Sequence, residues 1–262
     1  MLKIESISKT FLKGTINEKQ VLNKISLTLN DGDFVTVIGS NGAGKSTLFN
    51  AIAGVFSVDE GKIFIDDIDV TDIPEYKRAS YIARVFQDPL MGTAADMWIE
   101  ENLALAVRRG KKRGLKAGIS EEERKKYYDI LKSFDLGLEN RMTTKVGMLS
   151  GGQRQALTLL MATLQKPNVL LLDEHTAALD PKTATKVLEL TDKIISENKL
   201  TTFMVTHNMK DALKYGNRLI MMDKGHIILD VSGDEKKKLE VSDLLKKFEE
   251  VGGDVSDSMI LN

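Results

Sequence analysis

The stretch Gly39-Ser-Asn-Gly-Ala-Gly-Lys-Ser-Thr47 constrains this chain more than any other. It fits G-x-x-x-x-G-K-[ST] and lies between an apolar run, Phe34 to Ile38, and a helical segment, Lys45 to Ala53, closed by Gly54. A strand, a tight glycine turn and a helix in that order aim backbone amides and a positive helix end at one point, which suits phosphate oxygens. Lys45 is placed to reach β- and γ-phosphates, and the Ser46 hydroxyl is a ligand type that Mg²⁺ accepts. Chance produces the pattern in about one chain in a hundred of this length, so a merely flexible glycine loop is the weaker reading. Gly39, Ser40, Asn41, Gly42, Ala43, Gly44, Lys45, Ser46 and Thr47 are read as binding a nucleoside triphosphate.

The surrounding pattern predicts an α/β fold. Lys3 to Phe11 and Val21 to Leu29 are β-compatible, the second alternating as half-buried antiparallel strands do. Ile63 to Ile65 and Tyr81 to Phe86 are shorter strand signals. Between Leu90 and Met148 the character turns helical, with periodicity over Trp98 to Val107 and a charged helix over Glu121 to Phe134. That helix is entered through Ser120, with Glu123 completing a capping box. Strand-length runs return at Val169–Leu172, Thr201–Val205, Leu219–Met222 and His226–Leu229, with helices over Gln153–Thr163 and Pro181–Glu197 between them. The expectation is a mostly parallel sheet carrying the phosphate loop, an N-terminal antiparallel β part and a helical insert over about residues 90–165. All of it falls in one domain, 1–233, followed by a partly helical tail, 234–262.

Composition removes several function classes. Lys and Arg total 37 against 38 Asp and Glu, so no global affinity for nucleic acid is expected. There is no cysteine, which excludes disulfides, thiolate metal sites and cysteine catalysis, and three histidines do not support a multi-histidine metal site. The start lacks a signal-peptide core and no apolar run approaches 18 residues, so a soluble, cytoplasmic protein is expected whose membrane role runs through a partner.

A second acidic element is Val169-Leu-Leu-Leu-Asp173-Glu174, a buried strand ending in two carboxylates. Alone it is equally well a strand end with solvated acids; beside the phosphate loop, Asp173 is read as supporting Mg²⁺ and Glu174 as polarising an attacking water. Gln153 of Leu149-Ser-Gly-Gly-Gln153 lies 20 positions before Asp173, and the pentapeptide offers a serine and two glycines at a helix start as a second anion cradle. In that order and spacing the chain resembles the ATP-binding-cassette (ABC) ATPases over roughly Met1 to Asp230.

The resemblance implies the ABC-ATPase fold, ATP and Mg²⁺ as cofactors, and further roles. Gln87 resembles the glutamine that approaches the metal, and Asp180, in Ala178-Leu179-Asp180, resembles the loop that crosses to a second subunit. His207 resembles the histidine that hydrogen-bonds the γ-phosphate. Phe11 resembles the aromatic that stacks on adenine, with ordinary core packing as its alternative. The implied mechanism is a head-to-tail homodimer in which ATP lies between one copy's phosphate loop and the other's Ser150, Gly151, Gly152 and Gln153. Hydrolysis would release the dimer and move a separate integral-membrane permease, placing the chain peripherally on the inner face of the cell membrane. Two departures from the family pattern are His175 where proline is common, and few arginines in the helix after the signature.

GSNGAGKSTLFNAIAG, RRGKKRGLKAGI and DEHTAALDP together resemble ATPases of bacterial importers with a branched-chain-amino-acid-type permease and an extracytoplasmic binding protein, a group labelled for aromatic amino acids. The alternative is a cassette ATPase that transports nothing, of the iron–sulfur assembly or cell-division type. DNA-repair relatives are disfavoured, because only 104 positions separate Lys45 from Leu149 and no sustained heptads fill them. Arg108 to Lys116 holds six basic residues, read either as a solvated loop or as a contact with permease loops or anionic lipid. No aromatic interleaves with them, which disfavours nucleic acid. Met221-Met222 is read as core.

Overall fold

The computed structural model describes residues 1–111 and 118–250. In chain order the elements are β1 (Leu2–Phe11), β2 (Lys19–Leu29), β3 (Phe34–Gly39), α1 (Lys45–Ala53), β4 (Glu60–Ile65), β5 (Ile68–Asp69), α2 (Glu75–Arg78) and β6 (Ile82–Val85). There follow α3 (Ile99–Val107), α4 (Glu121–Lys132), α5 (Gly151–Thr163), β7 (Val169–Asp173), α6 (Pro181–Asn198), β8 (Thr202–Val205) and α7 (Met209–Lys214). The described chain ends with β9 (Arg218–Asp223), β10 (His226–Ser232), α8 (Gly233–Lys238) and α9 (Val241–Glu250). The chain divides into two compact units, one of Met1–Arg84, Asn168–Glu174 and Ile195–Asn262, the other of Val85–Pro167 and His175–Ile194.

In the first unit β1 pairs antiparallel with β2 and β4 in a sheet ordered β2-β1-β4-β5. Ile25, Leu27 and Leu29 of β2 are buried at alternate positions, as the pattern predicts. The alternation shifts at Lys24, which takes φ +50°, and the register slips between Ile7 and Lys9 of the facing strand, so an irregularity turns Leu22 back into the core. The second sheet is ordered β10-β9-β3-β8-β7-β6, with β3 parallel to both β8 and β9, β7 parallel to β8, and β10 antiparallel at one edge. Its inner strands are apolar runs because both faces are covered: every residue of β3 and β8 is buried. Met221 and Met222 are fully buried, as expected of core.

Helix α1 packs Leu48, Phe49, Ala51 and Ile52 into this core, and Phe49 stacks on Phe203 of β8 at 5.1 Å. Its C-terminal end is closed by an arginine, which the sequence does not announce. Arg78, 2% exposed, donates to the carbonyls of Ala51 (2.8 Å), Ile52 (2.9 Å), Thr71 (2.6 Å) and Ile73 (2.7 Å). The guanidinium thus adds to the Gly54 amide, which also donates to the Ala51 carbonyl, and supplies the donor for Ile52, against the negative end of the helix dipole. Arg78→Met is expected to lower stability by about 3 kcal/mol, because the carbonyls of Ile52, Thr71 and Ile73 lose the guanidinium as donor. Urea unfolding measures it, and a loss below about 0.5 kcal/mol, the surface-substitution range, contradicts the assignment.

Of the tail read as partly helical, the described residues 234–250 hold two helices, α8 and α9, and residues 251–262 lie outside the described residues. Leu244 and Phe248, four apart on α9, are fully buried and pack with Met209, Ala212, Leu219 and Met221. Lys236 of α8 is buried and donates to the carbonyls of Tyr215 and Gly216, and burial lowers its ammonium to about 8. Helix α7, capped by the Asn208 side chain on the Asp211 amide (3.0 Å), was also not expected; at six residues it is too short to show periodicity. Strand β6 is shorter than the expected Tyr81–Phe86 run.

In the second unit Ile99, Leu103, Leu131, Leu138, Leu157 and Leu160 form the core. Ser120 and Glu123 make the expected capping box on α4. Glu100, 2% exposed, receives both Nε and Nη2 of Arg124, so its buried charge is paired. The basic stretch is not a uniformly solvated loop where it is described: Arg108 donates to both oxygens of Glu123, and Arg109 is half-buried. Residues 112–116 of that stretch lie outside the described residues. Among the described residues no helix is long and apolar enough to cross a membrane.

Candidate nucleotide site

The first unit gathers Lys45, Ser46, Glu174 and His207 around a cleft of about 350 Å³, whose lining also includes Lys19, Val21 and loop residues 41–44 and 47. Two features make its floor an anion cradle. Gly44, the residue before α1, takes φ +102°, and a Cβ there would lie 2.8 Å from the Val21 carbonyl, so the turn admits only glycine. A glycine also carries no capping side chain, and the first turn of α1 holds no acid, so the helix's leading amides are left for an outside acceptor.

Lys45 is 5% exposed, and its ammonium donates back to the carbonyls of Gly39 (2.7 Å) and Ser40 (3.0 Å). Burial lowers its pKa, opposed by the charges of Glu174 and Asp173. The loop is braced from β9: Ser40 Oγ donates to Asp223 Oδ1 at 3.0 Å, and Asp223 is 6% exposed.

The carboxylates come from the end of β7. Glu174 adopts φ +47°, a left-handed conformation that costs a glutamate of order 1 kcal/mol. It is held there by its amide on the Val205 carbonyl (3.1 Å) and by Oε1, 2.6 Å from His207 Nε2. Burial works against its charge, but the His207 hydrogen bond and the charges of His207 and Lys45 outweigh it and hold the carboxyl below its ordinary range. Asp173 Oδ2 receives Arg84 Nη2 at 2.5 Å. The groups here are a desolvated ammonium, open amides and a hydroxyl that can donate, and two carboxylates that can accept or bind a cation. That chemistry fits a polyphosphate with a hard, oxygen-seeking cation such as Mg²⁺.

Phe11 does not line this cleft among the described residues. Its ring is 36% exposed, meets Phe56 edge-on at 5.3 Å, and has Lys9 Nζ 5.6 Å from its centroid. The remaining expected residues belong to the second unit. Gln87 follows β6 and is exposed. Ser150 and Gln153 form a capping box on α5: the Gln153 amide donates to Ser150 Oγ and the Ser150 amide to Gln153 Oε1, both at 3.3 Å. The Ser150 side chain is thus occupied by its own helix, and the amides of Gly151 and Gly152 are the ones left at its N-terminus. A Cβ on Gly152 would run into the Thr183 methyl, which explains glycine there. Asp180 is exposed and caps α6 through the Thr183 amide at 3.1 Å. His175 is buried against Thr191 Oγ1 at 3.1 Å, and burial lowers it to about 4, so it is a neutral packing residue.

Three residues that hold the site's groups from behind were not expected: Arg84 and its second acceptor Asn50, which brace Asp173, and Asp223, which braces Ser40. Arg84 had one signal, a charge inside the otherwise apolar run Tyr81–Phe86. Asp223 had none, since its partner is 183 positions away.

A profile of the ABC transporter family matches residues 22–177. A tyrosine transport ATP-binding protein of Clostridioides difficile (strain R20291) is 48% identical over 95% of this chain and 99% of its own length. An energy-coupling factor transporter ATP-binding protein of Clostridium acetobutylicum is 33% identical over 97% of this chain and 92% of its own. Among solved structures, an ATP-binding cassette of an ABC transporter in its ADP conformation superposes with a TM-score of 0.78 at 28% identity, covering 97% of this chain and 99% of that one. A dimeric cassette in a post-hydrolysis state, bound to ADP and phosphate, gives 0.74 at 31% identity over 88% and 98%.

Proposed function

The chain belongs to the ABC transporter family, and we propose that it is the ATP-hydrolysing subunit of an importer, energising a permease carried on a separate chain. The observation that carries the reading is the 2.6 Å pair between Glu174 and His207 at the mouth of the Lys45 loop. An ionised carboxylate, oriented by an imidazole and facing an ammonium, can polarise a water beside a held phosphate.

In this reading Lys45 and the open amides of α1 hold the β- and γ-phosphates. Ser46 and Asp173 hold Mg²⁺, with Gln87 supplying a further oxygen of the type it takes. The metal's contribution is to neutralise charge on the phosphates. Glu174 orients the water and takes its proton, while His207 fixes Glu174 and donates to the γ-phosphate. Phe11 stacks on the adenine. Two copies face each other, so that Ser150, Gly151, Gly152, Gln153 and Asp180 of one complete the site of the other. The dimeric ADP-and-phosphate neighbour supports that arrangement.

The relatives' names support transport, one for tyrosine and another in an energy-coupling factor transporter, and import follows from the likeness of the sequence to importer ATPases. An amino acid or similar small molecule is the substrate class, selected by the permease and its binding protein, and the chain sits on the inner face of the membrane through that permease. Purification of tagged chain from native membranes in mild detergent is expected to bring down a polytopic permease in stoichiometric amount. Recovery with soluble proteins alone contradicts the transport reading and favours the non-transport class.

A further inference from the structure

Two of the residues proposed to hold Mg²⁺ stand on different elements, Ser46 in the first turn of α1 and Asp173 at the end of β7. One side chain bonds to both elements. Arg84, on β6, donates through Nη1 to Oδ1 of Asn50 on α1 at 2.7 Å and through Nη2 to Oδ2 of Asp173 at 2.5 Å. Arg84 and Asp173 are 14% and 15% exposed, so water competes little for either group. The guanidinium is planar and its donors keep a fixed separation, so it sets the distance and orientation between its acceptors as a lysine cannot. Among the described residues only Oδ2 of Asp173 is engaged.

We propose that Arg84 is a positioning residue for the metal: it grips Oδ2 of Asp173, anchors on Asn50, and thereby presents the remaining carboxylate oxygen at a fixed distance from Ser46. This role rests on the ATPase reading above. A purely structural ion pair makes a different forecast, since its loss weakens nucleotide binding with and without metal alike. A positioning role acts only where Mg²⁺ is bound, because the phosphate cradle of amides and Lys45 does not include Arg84.

The test is calorimetric titration of the full-length protein with ADP, once in EDTA and once across a Mg²⁺ series. For Arg84→Met the affinity in EDTA is expected to stay within about twofold of wild type, while the Mg²⁺ concentration at half-effect rises about tenfold, the scale of losing a group that orients a ligand. Arg84→Lys keeps the charge but cannot span both acceptors, and is expected to show the same rise. Asn50→Ala removes only the anchor and is expected to raise the Mg²⁺ requirement about threefold, in a variant whose Arg84–Asp173 pair is intact. An unchanged or lower Mg²⁺ requirement in all three, or an equal loss of affinity in EDTA, overturns the role of Arg84 alone. A wild-type chain that binds no ADP under either condition overturns the proposed function and this role with it.

Discussion

Glu174→Gln is expected to stop turnover while ATP remains bound. The side chain keeps its size and an oxygen that can accept from His207, but it loses the charge that His207 and Lys45 stabilise. A positioned base of this kind typically contributes 10² to 10⁴ in rate, so steady-state phosphate release should fall by about that factor with ATP affinity within about threefold of wild type. Because the carboxyl sits below its ordinary range, wild-type activity should hold from neutral pH down through the usual carboxylate range and fall only below it, as Glu174 protonates. Phosphate release near the wild-type rate would remove Glu174 from the chemistry.

Lys45→Ala acts one step earlier, on binding. The ammonium is buried and already desolvated, with one proton on each of two loop carbonyls, so its remaining proton is free for an anion without further loss of hydration. Charge-assisted hydrogen bonds of this sort contribute about 1.5–3 kcal/mol each. The truncation also leaves the Gly39 and Ser40 carbonyls without that donor, which loosens the loop. ADP affinity is expected to fall by at least about 100-fold, read by equilibrium binding of a fluorescent nucleotide. Retained micromolar affinity would contradict the phosphate-loop reading.

The parts of this molecule that could be read in advance are those whose physics is local. The phosphate loop is one turn between one strand and one helix, and its lysine is placed by five or six residues of neighbouring backbone. The Ser120–Glu123 box and the alternation of Ile25, Leu27 and Leu29 are equally short-range. What was missed depends on residues far apart in sequence. Arg84 meets Asp173 across 89 positions, Ser40 meets Asp223 across 183, and Arg78 reaches back to the end of α1. Charge alone does not disclose such partners. The left-handed turn at Glu174 is likewise invisible in composition, since glutamate rarely adopts it and the surrounding strands impose it. Ser150 shows the converse: its role as a helix cap is local and follows from the S-x-x-Q spacing, the same four residues that suggest an anion cradle.

In the proposed cycle ATP joins two copies of this chain and hydrolysis separates them. Sedimentation velocity of the Glu174→Gln chain, with Mg²⁺ present and ATP added or withheld, tests it most directly. A monomer without nucleotide, a dimer with ATP, and a monomer again when Lys45→Ala is combined with Glu174→Gln are the expected results. A chain that stays monomeric at saturating ATP, or that dimerises equally without it, would overturn that cycle.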